Sequence, residues 1–245
     1  MKCAIHQPQF MPWLGYLHKI HNVDKFIFLD NVQFKKNEFQ NRNRVLVAGE
    51  TRWLTVPVSF HFGDTLMETR IAESVPWRKK IIHAVDLNYA KTPYCKEFME
   101  SFGRVIEPKW ESLAELNEAT VRWLMKCFDM HTETFTSSQF PELSPEPTQR
   151  LIDICRRVGA DTYLSGAGGQ NYLEPAEFEK AGIKLEFQQF EHPVYPQHHG
   201  SRFTVYSSRF TEEGTVFVPC LSAIDGLFNC GGGAAGRKML KIETQ

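Results

Sequence analysis

The residues with chemistry to offer begin at the sixth position. His6-Gln7-Pro8-Gln9 follows the short apolar run Cys3-Ala4-Ile5 and precedes Phe10-Met11-Pro12-Trp13-Leu14-Gly15-Tyr16. A histidine at the carboxyl end of a first strand stands where open α/β sheets bind ligands. The helix start beyond it suits phosphate, and the imidazole can donate to an anion or act as a general acid or base. The competing reading is structural: His6 caps a backbone group, while Pro12 and Trp13 pack a strand-to-helix turn.

Three further stretches carry polar chemistry. Gln40-Asn41-Arg42-Asn43-Arg44 is dense in planar hydrogen-bonding groups. Arg42 and Arg44 offer the bidentate donors that phosphate or carboxylate needs, and Gln40, Asn41 and Gln7 suit sugar hydroxyls. The alternative is a polar turn before a strand, with both arginines solvated. Ser165-Gly166-Ala167-Gly168-Gly169-Gln170-Asn171-Tyr172 follows another strand, where glycines let backbone N–H groups cradle an anion. Its candidate ligand residues are Ser165, Gly166, Gly168, Gly169 and Tyr172. It matches neither the P-loop nor the full dinucleotide fingerprint, and Ser165 lacks the Gly-x-Ser-x-Gly elbow, so a plain flexible turn competes. In His192-Pro193-Val194-Tyr195-Pro196-Gln197-His198-His199 the histidines match no standard metal spacing, and no metal is expected. That stretch reads as a lid or substrate loop, with His192 and Tyr195 as stacking faces. Asp225, on a late short helix, and Asp30, ending the second strand, are the carboxylates expected near His6. Either would orient the imidazole or bind a ribose or sugar hydroxyl; a solvated helix face is the other reading of Asp225.

The elements that must position these groups follow from apolar periodicity. Strands are expected at 2–6, 25–29, 132–136, 162–164 and 183–187, and a helix over 12–21 with Pro12 in its first turn. Strand, helix and strand make a βαβ unit, so the first two strands should be parallel. A hairpin insertion is expected near 45–58, turning at Gly49-Glu50, and a helical insertion over about 76–130, opened by a helix from Pro76 that contains Ile81, Ile82, Val85 and Leu87. Helices are also expected over 148–158, ended by Gly159, over 177–181 and over 221–228, with a loosely ordered basic tail after Gly236. The whole is a single domain over 1–245, α/β in class, with a Rossmann-like, mainly parallel sheet.

Composition limits the partners. A net charge of −1 over 245 residues argues against nonspecific nucleic-acid binding, which needs a basic surface. No run approaches the roughly 18–20 apolar residues that span a bilayer, and the start shows no signal peptide, so a cytoplasmic location is expected. The six cysteines form no C-x-x-C pair and read as reduced, mostly buried thiols.

Taken together, these motifs resemble the WbqC-like family, found among genes for O-antigen and other bacterial surface polysaccharides. The resemblance is carried by His6-Gln7-Pro8, Pro12 to Tyr16, Phe28 to Phe34, Gln40 to Arg44, Trp53 to Val58, Tyr163 to Gly166, His192 to Gln197 and Leu221 to Asp225. One departure is Ser165-Gly166-Ala167 where Ser-Gly-Pro is expected. The resemblance implies an enzyme that makes or decorates an activated sugar, and specifically acyl or aminoacyl transfer onto the amino group of a nucleotide-linked sugar. It leaves the donor open between acyl-coenzyme A and ATP, and an acyl carrier or biosynthetic enzyme as a partner. Within it, His6 would be the base or phosphate ligand, Arg42 and Arg44 anion ligands, and Asp225 the orienting carboxylate. Two rivals stand beside it. The first-strand histidine also suits an ATP-dependent ligase or nucleotidyltransferase, although that superfamily's second histidine falls where this chain has Gln9. A noncatalytic partner of a biosynthetic enzyme is the other.

Overall fold

The apolar runs that alternate with helices along the chain come together as one five-stranded parallel sheet. A computed structural model describes residues 1–197 and 217–242. In chain order the elements are β1 (Lys2–His6), α1 (Leu14–His21), β2 (Lys25–Phe28), β3 (Arg42–Val47), β4 (Glu50–Thr55), β5 (Val58–Ser59), β6 (Arg70–Ile71), α2 (Trp77–Tyr89), α3 (Cys95–Ile106), α4 (Leu113–Cys127), β7 (Glu133–Thr136), α5 (Pro147–Val158), β8 (Thr162–Ser165), α6 (Pro175–Lys180), β9 (Lys184–Phe187), α7 (Ala223–Cys230) and α8 (Gly233–Leu240).

The sheet order is β7-β2-β1-β8-β9, and every pair is parallel. Both faces of β1 are covered, which is why Cys3-Ala4-Ile5 is a continuous apolar run instead of an alternating one. Ala4, Phe26 and Phe28 join a core with α1 and the helices α2 to α4. Cys3, Ile5 and Ile27 join a second core with α5 and α6. From β1 the chain crosses to β2 by α1 on the first face; from β7 it returns past β1 to β8 by α5 on the other. Reversing direction with crossovers of one hand requires the opposite face. The reversal leaves a crevice between the carboxyl ends of β1 and β8, the topological switch point where such sheets bind ligands.

Between β2 and β7 stand two small antiparallel pairs, β3 with β4 and β5 with β6, followed by α2 to α4. The β3–β4 turn falls at Ala48-Gly49, both with positive φ (52° and 82°), as a tight hairpin requires. The helices carry ordinary stop and start signals. Ser112 and Glu115 form a reciprocal capping box at the start of α4. Pro147 opens α5, and Gly159, left-handed at φ 73°, ends it.

Several expectations are corrected. Pro12 does not start α1: the chain is still extended at Trp13, which bridges Ser222, and the helix begins at Leu14. Arg42, Asn43 and Arg44 lie in β3, not in a turn before it. The tail after Gly236 is helical to Leu240. It is held because Arg237 is buried and donates to the Phe128 and Asp129 carbonyls while pairing with the Asp129 carboxylate.

The helical insertion does more than fill a core. Fully buried Asn117 on α4 donates to the carbonyls of Pro8 (3.0 Å) and Gln40 (2.7 Å), tying the loop after β1 to the stretch before β3. Asn43 on β3 donates to the carbonyls of Phe10 (3.2 Å) and Met11 (2.6 Å), and the Ser222 hydroxyl donates to Met11 as well. Met11 is held at φ 43°, uncommon for a residue with a side chain, so these bonds over-determine its conformation. Asn117→Ala leaves two buried carbonyls without donors. It is expected to lower unfolding free energy by about 2–4 kcal/mol, read from urea denaturation, and to speed amide exchange over residues 9–11. A loss below about 0.5 kcal/mol would mean that the carbonyls find other partners.

Candidate functional site

The crevice at the β1–β8 switch point holds a cleft of about 280 Å3. His6 ends β1 and faces it. α1 supplies Gly15, Tyr16 and Lys19, which share one helix face by their three- and four-residue spacing. Gly166, Ala167 and Gly168 follow β8, Gln188 and Phe190 follow β9, and Trp13 closes one wall. Gly15 is what admits that wall: a side-chain carbon there would lie 2.4 Å from the Trp13 indole. The edge of Phe190 meets the same ring, with centroids 5.3 Å apart.

The protonation of His6 is fixed by its neighbours. Its Nδ1 lies 2.9 Å from the Gln7 carbonyl, which only accepts, so Nδ1 carries the proton and Nε2 keeps its lone pair. Burial, and then the charge of Lys19, push the imidazole down to about 3 against the opposing effect of that hydrogen bond. His6 is therefore neutral at physiological pH. Tyr16 packs edge-on to it at 4.8 Å and donates its hydroxyl to the Gln7 carbonyl at 3.1 Å. Burial, and then Glu118, raise that phenol well above its usual range, so it stays protonated.

Lys19 is the residue that motif reasoning missed. It is 3% exposed, and burial alone pushes its ammonium down to about 8. No described residue forms an ion pair or hydrogen bond with its Nζ. A side-chain carbon at Gly166 would lie 3.0 Å from that nitrogen, so glycine there leaves the ammonium its space. The signal was in the sequence: Lys19 is four residues after Gly15 and three after Tyr16, on the face those two share. Gln188 and Phe190 carried no such signal. The Gln188 amide nitrogen donates to the Gly15 carbonyl at 2.8 Å and lies 3.1 Å from His18 Nδ1.

Of the residues singled out from sequence, the cleft gathers His6, Gly166 and Gly168. Ser165 is buried behind them, its hydroxyl on the Gly166 carbonyl; a side-chain carbon at Gly169 would lie 2.1 Å from that oxygen, so Gly169 serves packing. Tyr172 is 64% exposed, away from the cleft lining. The Gln7 side chain accepts from Gln40, whose own oxygen accepts from the Lys35 N–H, and Asn41 donates to the Val56 carbonyl. Arg42 stacks on Trp53 at 4.2 Å and donates to the Asn37 carbonyl, while Arg44 donates to the Cys220 carbonyl at 3.2 Å. These groups hold the β3–β4 hairpin and the loop beside it. Asp30 is buried and accepts from the Ser137 hydroxyl and the Ser138 N–H, joining the ends of β2 and β7.

Asp225 is not on a solvated face. It is fully buried, and its carboxylate accepts from Tyr89, Tyr195 and Gln197 at 2.8–2.9 Å. Its link to the cleft is an aromatic stack: Tyr195 packs on His192 at 6.3 Å, and His192 on Trp13 at 6.4 Å. His192 and Tyr195 thus back the indole wall. Among the described residues no three His, Cys, Asp or Glu side chains converge as a metal set; His198 and His199 lie outside them. All six cysteines are free thiols. No described helix is long and apolar enough to cross a membrane.

Comparison with known proteins adds a family and a relative. The model of the WbqC-like protein family matches residues 7–209, a span holding every described cleft residue except His6, which immediately precedes it. A protein of Mycobacterium tuberculosis, described as uncharacterized, is 28% identical over 234 residues and covers 94% of each chain. No solved structure matches.

The buried ammonium has a measurable cost. The pKa of Lys19 is lowered from 10.5 to about 8 on folding, so its contribution to stability is full above 10.5 and lost as pH falls through 8. Lys19→Met removes that penalty. It is expected to stabilise the chain at pH 7 by an amount on the order of 1–3 kcal/mol, with the gain shrinking toward pH 10.5, in urea unfolding at several pH values. A variant no more stable than its parent at pH 7 would show that the ammonium is solvated or paired.

Proposed function

We propose a group-transfer reaction for this chain, which belongs to the WbqC-like protein family: acyl or aminoacyl transfer onto the amino group of a nucleotide-linked sugar, in bacterial surface-glycan biosynthesis. One observation carries the reading. The imidazole of His6 spends its Nδ1 proton on the Gln7 carbonyl and keeps an unprotonated Nε2 at the cleft.

As the substrate nitrogen bonds to the acyl carbon, Nε2 takes its proton. The bond from the acyl carbon to the donor's sulfur or oxygen breaks, its electron pair leaves with that atom, and the imidazolium returns the proton to it. Tyr16 holds the Gln7 carbonyl, and through it the imidazole's orientation. Trp13 and Phe190 give the sugar an apolar wall and exclude water from the acyl carbon. Burial, and then the charge of Lys19, make the imidazole a weak base. A negative charge on the substrate beside that ammonium, such as a nucleotide-linked sugar carries, offsets the second of these effects.

The position of the cleft at the switch point favours a second reading. Such crevices commonly take nucleotides, so an ATP-dependent ligase or nucleotidyltransferase of the same biosynthesis fits the place. The two readings separate by product. Purified protein is incubated with a nucleotide-linked amino sugar and acyl-coenzyme A, or with ATP and a free acid, and products are read by mass spectrometry. An N-acylated sugar with free coenzyme A is the expected result, and His6→Gln is expected to lower its rate at least about 100-fold without loss of folding. Pyrophosphate released only with ATP would move the assignment to the second reading. Absence of both products, or full activity in His6→Gln, would overturn the role given to His6.

A further inference from the structure

Lys19 holds a charge that nothing on the described protein balances. Its Nζ reaches the cleft, and the groups facing it there are His6 from β1, Tyr16 from α1, Gly166, Ala167 and Gly168 after β8, and Gln188 and Phe190 after β9. None is anionic: His6 is neutral, Tyr16 stays protonated, and among the described residues no carboxylate lines the cleft. His18, the next titratable group, sits against Gln188 and is itself pushed toward its neutral form by burial and by His21. A buried cation without a counter-charge weakens a fold, and proteins keep such groups where a ligand supplies the missing charge.

We propose that Lys19 Nζ and the Gly166–Gly168 segment form a phosphate subsite, which places the ligand's uncharged body along Trp13 and Phe190 and its reacting end toward His6. The chemistry of both partners favours phosphate. A lysine ammonium is a compact point charge that suits a tetrahedral phosphoryl group without the planar, bidentate geometry that arginine brings to carboxylate and phosphate alike. Glycine at 166 keeps side-chain carbon away from the ammonium and leaves room for a tetrahedral group beside it. The pairing also reaches His6. The charge of Lys19 is one of the two causes holding that imidazole neutral, so phosphate at Lys19 makes its protonation easier. Ligand binding and base strength are thereby coupled through one ammonium. The inference rests on reading the cleft as the substrate site, but not on the transfer reaction.

The test is calorimetric titration of the full-length protein at pH 7 with inorganic phosphate, UDP and glucose 1-phosphate, with uridine as the uncharged control. At least one phosphate is expected to saturate, and uridine is not. Lys19→Met should weaken that binding by about tenfold or more, and Gly166→Ala, whose new carbon crowds Nζ, should weaken it too. In the parent protein the His6 ring resonance should titrate at higher pH with phosphate present than without, a shift absent from Lys19→Met. Stronger binding of UDP assigns the phosphate to a nucleotide, and stronger binding of glucose 1-phosphate assigns it to a sugar phosphate; either supports the subsite. No saturation by any phosphate, or binding unchanged in Lys19→Met, overturns it. Lys19-dependent binding without acyl transfer would remove the transfer reading and leave the subsite. Full transfer by Lys19→Met would do the reverse.

Discussion

The loop after β1 is held by buried carboxamides, and the geometry of the cleft depends on that hold. Four of the five carbonyls over residues 8–12, those of Pro8, Phe10, Met11 and Pro12, are met by Asn117, Asn43, Ser222 and the Ala223 N–H. Those donors come from α4, β3 and the start of α7, segments far apart in sequence. A buried carbonyl without a donor is costly, so each must stay where the loop needs it. The two insertions between β2 and β7 therefore serve the sheet they interrupt. They fix where β1 ends, where Trp13 turns and how α1 enters, which together place His6, Tyr16 and Lys19.

That rigid frame supports a cleft that works against stability. A neutral imidazole and an ammonium with no counter-charge among the described residues both sit where burial disfavours charge. Residues chosen only for folding would put apolar groups there, as they do on the other side of β1, where Cys3 and Ile5 pack on α5. The contrast lies within one strand. Cys3 and Ile5 point to a dry core, and His6, at the open end, points to a cleft. Among the described residues, Lys19 departs plainly from the local rules of propensity and packing, which would put an apolar side chain on that buried helix face.

The fold was legible because parallel strands announce themselves as short apolar runs between helices. Cys3-Ala4-Ile5, Phe26-Ile27-Phe28 and Tyr163-Leu164 each became a sheet strand, and the glycine at 159 ended its helix as read. Chemistry was less legible. His6 and the Gly166–Gly168 segment reached the cleft because their place at strand ends is a topological property. Arg42, Arg44 and Asp30 had the right functional groups, but backbone carbonyls, an aromatic ring and the ends of two strands took them. Composition cannot tell an arginine that binds a ligand from one that braces a hairpin. Lys19 went unnoticed for the opposite reason: a lone lysine in a short helix looks solvated until the packing of α1 is known. The tail misled likewise, since its basic residues hid that Arg237 is a buried anchor for the end of α4.

The scattered family motifs then acquire a common physical role. Asp225 on α7 gathers Tyr89 from α2 with Tyr195 and Gln197 from the segment after β9, and Gln197 in turn holds the backbone of Val218. Tyr195 stacks against His192, and His192 against Trp13, so a buried carboxylate is joined by ring contacts to the cleft wall. The β3–β4 hairpin reaches the same place by another route, because the Arg44 carbonyl accepts from the Ser222 N–H and Ser222 bridges Trp13. A large flat indole folded over Gly15 has little of its own to fix its angle. Two supports, one of stacked rings and one of backbone, both rooted at the start of α7, join Phe190 in supplying that constraint. The motifs at 40–44, 192–197 and 221–225 thus converge on Trp13, the wall of the cleft that His6 and Lys19 line.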